Sequence, residues 1–189
     1  NEKGFVDLKK LQDNLSENTV LVSVIHGNNE IGTVQLIESV AEIIRNFKKS
    51  AYPAARIPRY PLFHTDAAQT LSYLDCGAGK LGVDLMSLSA QKIYGPKGVG
   101  ALYVREGIRD KISPIVTGGS HEYGFRAGTP NVPAIVGFGK AVELILARRE
   151  LAGNRIGKLR DYFLLELCKI YPEAEVNGGE PKLPSILNV

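Results

Sequence analysis

Short apolar segments without polar alternation recur along this chain, and segments with helical spacing separate them. The first, residues 19–25, is rich in β-branched residues, and three more strands are predicted at 62–65, 85–88 and 99–104. A strand that is apolar throughout is buried on both faces, as in parallel sheets that helices cover. The order of these segments therefore predicts an α/β fold, a three-layer α/β/α sandwich with a mostly parallel sheet.

Apolar residues at helical spacing predict helices between and after these strands. They indicate a short helix over 8–15, a second over 37–47, and two C-terminal helices at 132–151 and 156–171. Three prolines within 51–61 predict a loop or a surface insertion. The apolar residues predicted to face inward from the last helix are Leu159, Phe163, Leu164 and Leu167.

Length and composition fit one domain and part of another. We expect a large domain at 1–172 and the beginning of a smaller, truncated domain at 173–189. The 23 basic and 20 acidic residues leave a net charge of +3, too small to favour nucleic acid or a membrane surface. Cys76 and Cys168 cannot form a disulfide framework, and with three histidines they show no zinc-site spacing. We therefore expect a cytoplasmic enzyme domain.

Polar side chains follow three of the predicted strands, where ligands of parallel α/β sheets bind. The amine of Lys92 can form a Schiff base with an aldehyde if its pKa is lowered; a surface lysine is the alternative. Asp66, 26 residues earlier, can keep the ring nitrogen of pyridoxal phosphate (PLP) protonated, and a helix cap is its alternative. Gln69 or Asn29 could donate to the phenolic oxygen of that ring, and Ser89 could hold its phosphate.

Two glycine-rich stretches have different interpretations. Residues 95–100 lack the Gly-Lys-Ser/Thr of a P-loop and are predicted to be a tight turn. Residues 118–129 form a long loop before a helix, and its backbone amides and the Thr129 hydroxyl could bind a phosphate. His26 could line the site or pack in the core, and His121 could approach the ligand.

Four motifs of this chain resemble those of the cysteine desulfurases and the closely related selenocysteine lyases. In chain order they are N-N-E-I-G-T-V-Q, H-T-D-A-A-Q, S-A-Q-K-I-Y-G-P-K-G-V-G-A-L-Y-V-R and G-G-S-H-E-Y-G-F-R-A-G-T-P-N-V-P. These families are PLP enzymes of fold type I on the class V aminotransferase branch, and the resemblance runs almost from end to end of the chain. It implies a PLP-binding large domain.

The resemblance assigns a role to several single residues. It implies that Lys92 is the Schiff-base lysine and the catalytic base, and that Asp66 is the partner of the pyridinium nitrogen. The counterpart of Thr129 reaches the phosphate of the neighbouring subunit, which implies a homodimer. The cofactor-binding residues that the resemblance implies are Asn29, Asp66, Gln69, Ser89, Gln91, Lys92 and Thr129.

The chain departs from the family pattern in two ways. The family commonly has His where Gln91 stands; glutamine can donate to a phosphate but cannot titrate near neutral pH, so PLP binding is expected to survive. Family members are also considerably longer. The resemblance implies that the N-terminal part with a His stacked on the ring lies outside this chain, as does the C-terminal part with the substrate-carboxylate Arg and the catalytic Cys. Neither Cys76 nor Cys168 is expected to replace that Cys.

The activity implied by the resemblance is conversion of L-cysteine to L-alanine, with transfer of sulfur to an enzyme cysteine persulfide. The sulfur would then reach an acceptor or iron–sulfur scaffold protein for iron–sulfur cluster or thio-cofactor synthesis. A selenocysteine lyase or a class V aminotransferase stays open as an alternative, as does a non-catalytic PLP-fold fragment that only dimerises or binds a partner. The isolated chain is expected to turn over poorly or not at all.

Overall fold

The computed structural model describes residues 1–53 and 60–189, which include one four-stranded sheet. Its strands, in spatial as well as chain order, are β1 (Leu21–Ile25), β2 (Leu62–Asp66), β3 (Leu85–Ser89) and β4 (Gly100–Val104). The β1–β2 and β2–β3 pairs are parallel and the β3–β4 pair is antiparallel. Only residues 90–99 connect β3 to β4, too few for the crossover that a parallel pair needs. The predicted α/β fold with a mostly parallel sheet is confirmed.

Two of the four α-helices among the described residues begin at a side-chain cap. The four are α1 (Leu8–Asn14), α2 (Ile37–Ala51), α3 (Ala78–Leu81) and α4 (Val132–Ile170), with 3-10 helices at Ala90–Ile93, Arg109–Lys111 and Glu122–Gly124. The Asp7 side chain caps α1 by accepting from the Lys10 N–H. Asn131 caps α4 by accepting from the Ala134 N–H. The apolar runs and helical spacing thus located α1, α2 and the four strands to within a few residues.

The C-terminal half of α4 differs from the prediction. The two helices expected at 132–151 and 156–171 are one continuous helix of 39 residues. Gly153 lies between them, and a glycine costs a helix interior only about 1 kcal/mol, which the long helix tolerates. The expected inward orientation is also wrong for Leu159 and Phe163, which are 51% and 58% exposed, whereas Leu164 and Leu167 are half-buried.

One face of the sheet and the described α-helices share a hydrophobic core. Val24, Phe63 and Met86, one from each parallel strand, belong to it together with residues of α2 and α4. The opposite face has a smaller cluster of Leu62, Leu85 and Ile108, and a row of hydrogen bonds crosses its three parallel strands. In that row, His64 lies between the hydroxyls of Ser23, 2.7 Å from Nδ1, and Ser87, 2.9 Å from Nε2.

Residues 173–189 pack against the loop that follows β1. The Leu183 side chain is fully buried, and its N–H donates to the Gly32 carbonyl at 2.8 Å. The Val34 N–H donates to the Pro181 carbonyl at 2.9 Å. The division into domains at 172/173 stays a prediction. Of the predicted insertion at 51–61, residues 54–59 lie outside the described residues.

Within the described ranges, no helix combines the length and the apolar character that crossing a membrane requires.

Candidate active site

The carboxyl ends of β1, β2 and β3 meet at one edge of the sheet. Ile25, the last residue of β1, is paired with Asp66, the last residue of β2. Asp66 is in turn paired with Ser87 of β3, two residues before that strand ends at Ser89. Because parallel strands present their carboxyl ends to the same side, the turns that follow all three strands lie at this edge.

The turn after β2 carries both Asp66 and Gln69, and each of their side chains is half-buried. The Ala68 N–H donates to Asp66 Oδ1 at 2.9 Å, which orients the carboxylate at the start of the turn. The Ala67 N–H donates to the Ser87 carbonyl of β3 at 3.0 Å. The backbone of this turn is therefore attached to the neighbouring strand, and the predicted ring-nitrogen and phenolic-oxygen partners lie on one short segment.

Lys92 lies in the 3-10 helix Ala90–Ile93, immediately after β3. Ala90 and Ile93 are buried, whereas Gln91 and Lys92 are exposed. The two apolar residues therefore pack in the interior, and the two polar residues lie at the surface. Ser72, which follows the Asp66 turn and is itself buried, donates from Oγ to the Lys92 carbonyl at 3.3 Å. This hydrogen bond connects the segment after β2 with the segment that carries the lysine.

The chain turns sharply after Lys92. Tyr94 has a φ of 64°, a left-handed conformation that is uncommon for a residue with a side chain. The Gly95 N–H donates to the Ala90 carbonyl at 2.8 Å. A Cβ at Gly95 would lie 2.9 Å from that carbonyl oxygen and 3.1 Å from Cβ of Ala141 on α4, so only glycine lets the turn close against the helix.

Asn29 and Thr129 lie on segments of the chain other than the turns after β2 and β3. Asn29 is exposed at the tip of the turn after β1, where Oδ1 of Asn28 accepts from the N–H groups of Glu30 and Ile31 at 2.8 and 2.9 Å. Thr129 is exposed on the loop between the 3-10 helix Glu122–Gly124 and α4. Arg126 Nη1 holds that loop by donating to the carbonyls of Ala127 and Gly128 at 3.0 and 2.8 Å. The structure thus brings Asn29, Asp66, Gln69, Ser89, Gln91 and Lys92 to the strand ends, whereas Thr129 lies on a separate loop.

The donor set at the strand ends fits PLP by its chemistry. A carboxylate suits the protonated ring nitrogen, an exposed amine suits the aldehyde, and side-chain amides and a hydroxyl suit the phenolic oxygen and the phosphate. Asp66, Lys92, Gln69 and Ser89 supply these four kinds of group on two neighbouring turns. The role of each residue toward the cofactor stays a prediction.

Buried polar residues lie directly behind the Asp66 turn, and sequence reasoning missed most of them. His26 is only 5% exposed, in agreement with the core alternative, and burial lowers its pKa. Thr70 is fully buried, with Oγ1 3.2 Å from His26 Nδ1 and 3.3 Å from Cys76 Sγ. Burial raises the pKa of the Cys76 thiol. The available signal was the pair of hydroxyl residues, Thr70 and Ser72, directly after the D-A-A-Q motif.

Comparisons with known proteins agree with this arrangement. The sequence profile of the family described as Aminotransferase class-V matches residues 1–189. Cysteine desulfurase IscS of Dictyoglomus turgidum is 43% identical over 187 residues, which are 98% of this chain and 44% of that protein.

Two solved structures resemble the chain. A structure titled as a NifS-like protein matches with a TM-score of 0.83 at 37% identity, over 97% of this chain and 47% of that one. A structure titled SspA in complex with cysteine matches with a TM-score of 0.66 at 39% identity, over 75% of this chain and 38% of that one. The chain therefore spans less than half the length of each of these proteins.

Proposed function

Because this chain belongs to the class V aminotransferase family, whose members are PLP-dependent enzymes, we propose that the protein acts as a cysteine desulfurase. The observation that carries the proposal is the convergence of Asp66, Gln69, Ser89 and Lys92 on adjoining strand ends. The relatives named cysteine desulfurase support it over nearly the whole of this chain.

The residues at the strand ends divide the work of the proposed reaction. PLP, when bound, supplies an electron sink for the negative charge that develops on the substrate α-carbon. Asp66 holds the proton on the ring nitrogen, and its orientation is set by the Ala68 N–H. Lys92 would hold the cofactor aldehyde through Nζ, and the same atom would act as general base for the substrate α-proton. Ser89 and Gln91 donate to the phosphate, and Gln69 and Asn29 to the phenolic oxygen.

L-Cysteine is the proposed substrate, supported by the relative whose title reports a complex with cysteine. The C–S bond of the substrate breaks and an S–S bond forms with an enzyme thiolate, which gives a persulfide. Protonation of the substrate β-carbon and return of the proton to its α-carbon then give L-alanine. Cys76 is a poor nucleophile because burial raises its thiol pKa, and Cys168 is half-buried on α4. We therefore assign the accepting cysteine to a part of the protein outside this chain. Sulfur then passes to an acceptor or an iron–sulfur scaffold protein.

A homodimer is part of the proposal. The segment between β4 and α4, which includes Thr129, exposes large apolar side chains: Ile115 is 98%, Val116 61% and Tyr123 85% exposed. An apolar loop of this kind suits contact with a second copy of the chain, in which Thr129 would reach the partner's phosphate site. Analytical ultracentrifugation tests this part, and a monomer at micromolar concentration would contradict it.

Product analysis of the full-length gene product tests the proposed activity. The protein is incubated with PLP, a reducing thiol and L-cysteine, and alanine and sulfide are measured. Equal amounts of the two products, lost in Lys92→Ala and kept in Lys97→Ala, are expected; Lys97 is an exposed lysine of the following turn. The 189-residue chain alone is expected to form little or no alanine.

The alternatives predict other products in the same assay. Turnover of L-selenocysteine but not of L-cysteine would identify a selenocysteine lyase. Formation of a 2-oxo acid from an amino acid in the presence of a second 2-oxo acid would identify an aminotransferase. No turnover of any of these substrates by the full-length gene product would leave the non-catalytic alternative and refute the desulfurase proposal.

A further inference from the structure

One buried hydroxyl group, that of Thr70, forms hydrogen bonds to the turn that carries Asp66 and Gln69 and to the neighbouring segment. Thr70 Oγ1 donates to the Ala67 carbonyl at 3.1 Å, inside the turn itself. The same oxygen lies 3.2 Å from His26 Nδ1, on the segment that follows β1. Thr70 is fully buried and His26 is 5% exposed, so water does not compete for these contacts.

The backbone of His26 forms hydrogen bonds with the end of β2 and with the segment before α2. Its N–H donates to the Asp66 carbonyl at 2.8 Å, and its carbonyl accepts from the Gln35 N–H at 2.8 Å. Burial lowers the pKa of His26, so near neutral pH the ring is uncharged and Nδ1 makes a neutral hydrogen bond with the hydroxyl. The imidazole therefore connects the end of β1 to the turn after β2.

The packing around Thr70 favours the orientation in which its hydroxyl is found. A Cβ at Gly27 would lie 2.6 Å from the Thr70 methyl group, so the methyl group occupies the space that the glycine leaves. On the other side, Cys76 Sγ lies 3.3 Å from Oγ1. With its methyl group against Gly27, the side chain directs its hydroxyl toward Ala67, His26 and Cys76.

We propose that Thr70 and His26 are positioning residues for the cofactor site: their buried hydrogen bond holds the turn in the one conformation that presents Asp66 and Gln69 together. The inference rests on the proposed PLP function, but the ordering of the turn can be measured without the cofactor. Neither residue contacts the reacting atoms; both act through the two cofactor-binding side chains.

Two substitutions at Thr70 separate the hydroxyl from the shape of the side chain. Thr70→Val keeps the methyl group against Gly27 and leaves the Ala67 carbonyl and His26 Nδ1 without their common partner. Thr70→Ser keeps the hydroxyl and loses the methyl contact. If the residue only filled space, Thr70→Ser would be the more damaging of the two. If it positions the turn, Thr70→Val is the more damaging.

The first readout is PLP affinity, taken from the visible absorbance of the lysine-bound cofactor during titration of the full-length gene product. Thr70→Val is expected to raise the Kd about tenfold, the equivalent of one lost buried hydrogen bond, and Thr70→Ser to stay within about twofold. A Kd for Thr70→Val within about twofold of the parent would overturn the proposal. Absence of Lys92-dependent binding in the parent would instead refute the proposed function.

The second readout is amide hydrogen exchange without PLP. The Ala68 N–H, which donates to Asp66 Oδ1, reports on the turn, and the Arg105 N–H, which donates to the Asp84 carbonyl at the far end of the sheet, is the control. Thr70→Val is expected to accelerate exchange at Ala68 about tenfold relative to Arg105. Equal acceleration at both amides would mean general destabilisation and would overturn the proposal. If Thr70→Val does not fold, His26→Ala is measured in its place, with the same expectation and the same refuting result.

Discussion

Replacing Asp84 with alanine is expected to destabilise the fold more than any substitution of an exposed charge. Asp84 lies just before β3, at the end of the sheet opposite the candidate active site, and its side chain is 9% exposed. Its carboxylate accepts from Arg105 Nε at 2.7 Å, from the Phe63 N–H at 2.9 Å and from Lys48 Nζ at 3.4 Å. One carboxylate therefore connects α2, β2 and the segment after β4.

The expected loss follows from what Asp84→Ala leaves behind. The Lys48 side chain is 12% exposed, so its ammonium would be a nearly buried charge without its counter-ion, and the Phe63 N–H would lose a buried acceptor. Removing one partner of a buried ion pair costs about 3–5 kcal/mol. Arg105 is 37% exposed and adds little, because solvent screens it. We expect the free energy of unfolding to fall by about 4 kcal/mol and the Tm by roughly 10 °C.

Urea unfolding followed by circular dichroism measures this loss, and Glu143→Ala is the control. Glu143 pairs with Lys140 on the surface of α4, and its side chain is 68% exposed, so its removal is expected to change the free energy of unfolding by less than about 1 kcal/mol. Folded Asp84→Ala protein should keep the parent's PLP affinity, since Asp84 is remote from the strand ends that carry the cofactor residues. A loss below about 1 kcal/mol would refute the reasoning that this buried cluster holds the sheet together.

Two further predictions concern pH and packing. Burial lowers the pKa of both His26 and His64, so below about pH 6.5 the unfolded chain binds more protons than the folded protein. The free energy of unfolding should therefore fall as the pH is lowered from about 7.5 to about 5.5, and it should change less in a variant with both residues replaced by glutamine. A pH-independent urea midpoint would contradict this prediction. Gly27→Ala should destabilise the protein by about 1–3 kcal/mol in thermal unfolding, because the new Cβ would lie 2.6 Å from Thr70 Cγ2. The control Gly79→Ala, with no atom within 4 Å of the new Cβ, should be neutral or slightly stabilising. Equal effects of the two substitutions would show that the clash at Gly27 is relieved without cost.

The sequence predicted the features that depend on residues close together in the chain, such as the positions of the strands. Short apolar runs located the strands, and Asp66, which ends β2, and Lys92, which follows β3, lie at the edge of the sheet where parallel strands bind their ligands. The continuity of α4 was missed because the apolar spacing was interpreted as two separate helices, whereas the residues between them, including Gly153, are also helical.

The hydrogen bonds that hold the turns of the candidate site join residues far apart in the sequence, and no local pattern predicts them. His26 and Thr70 are 44 residues apart in the sequence, and Ser72 reaches the Lys92 carbonyl across 20 residues. Only the register of the three parallel strands, which places the turns side by side, brings these groups within hydrogen-bond distance.

Borohydride trapping of the PLP-loaded protein tests the central claim, that the strand ends form a PLP site with Lys92 as its lysine. The protein is titrated with PLP, reduced and digested, and the labelled peptide is identified by mass spectrometry beside Lys92→Ala and Lys97→Ala. The account predicts a visible absorbance band and a reduced PLP label on the peptide that contains Lys92, absent from Lys92→Ala and unchanged in Lys97→Ala. A label on another lysine, or none in the full-length gene product, would contradict it.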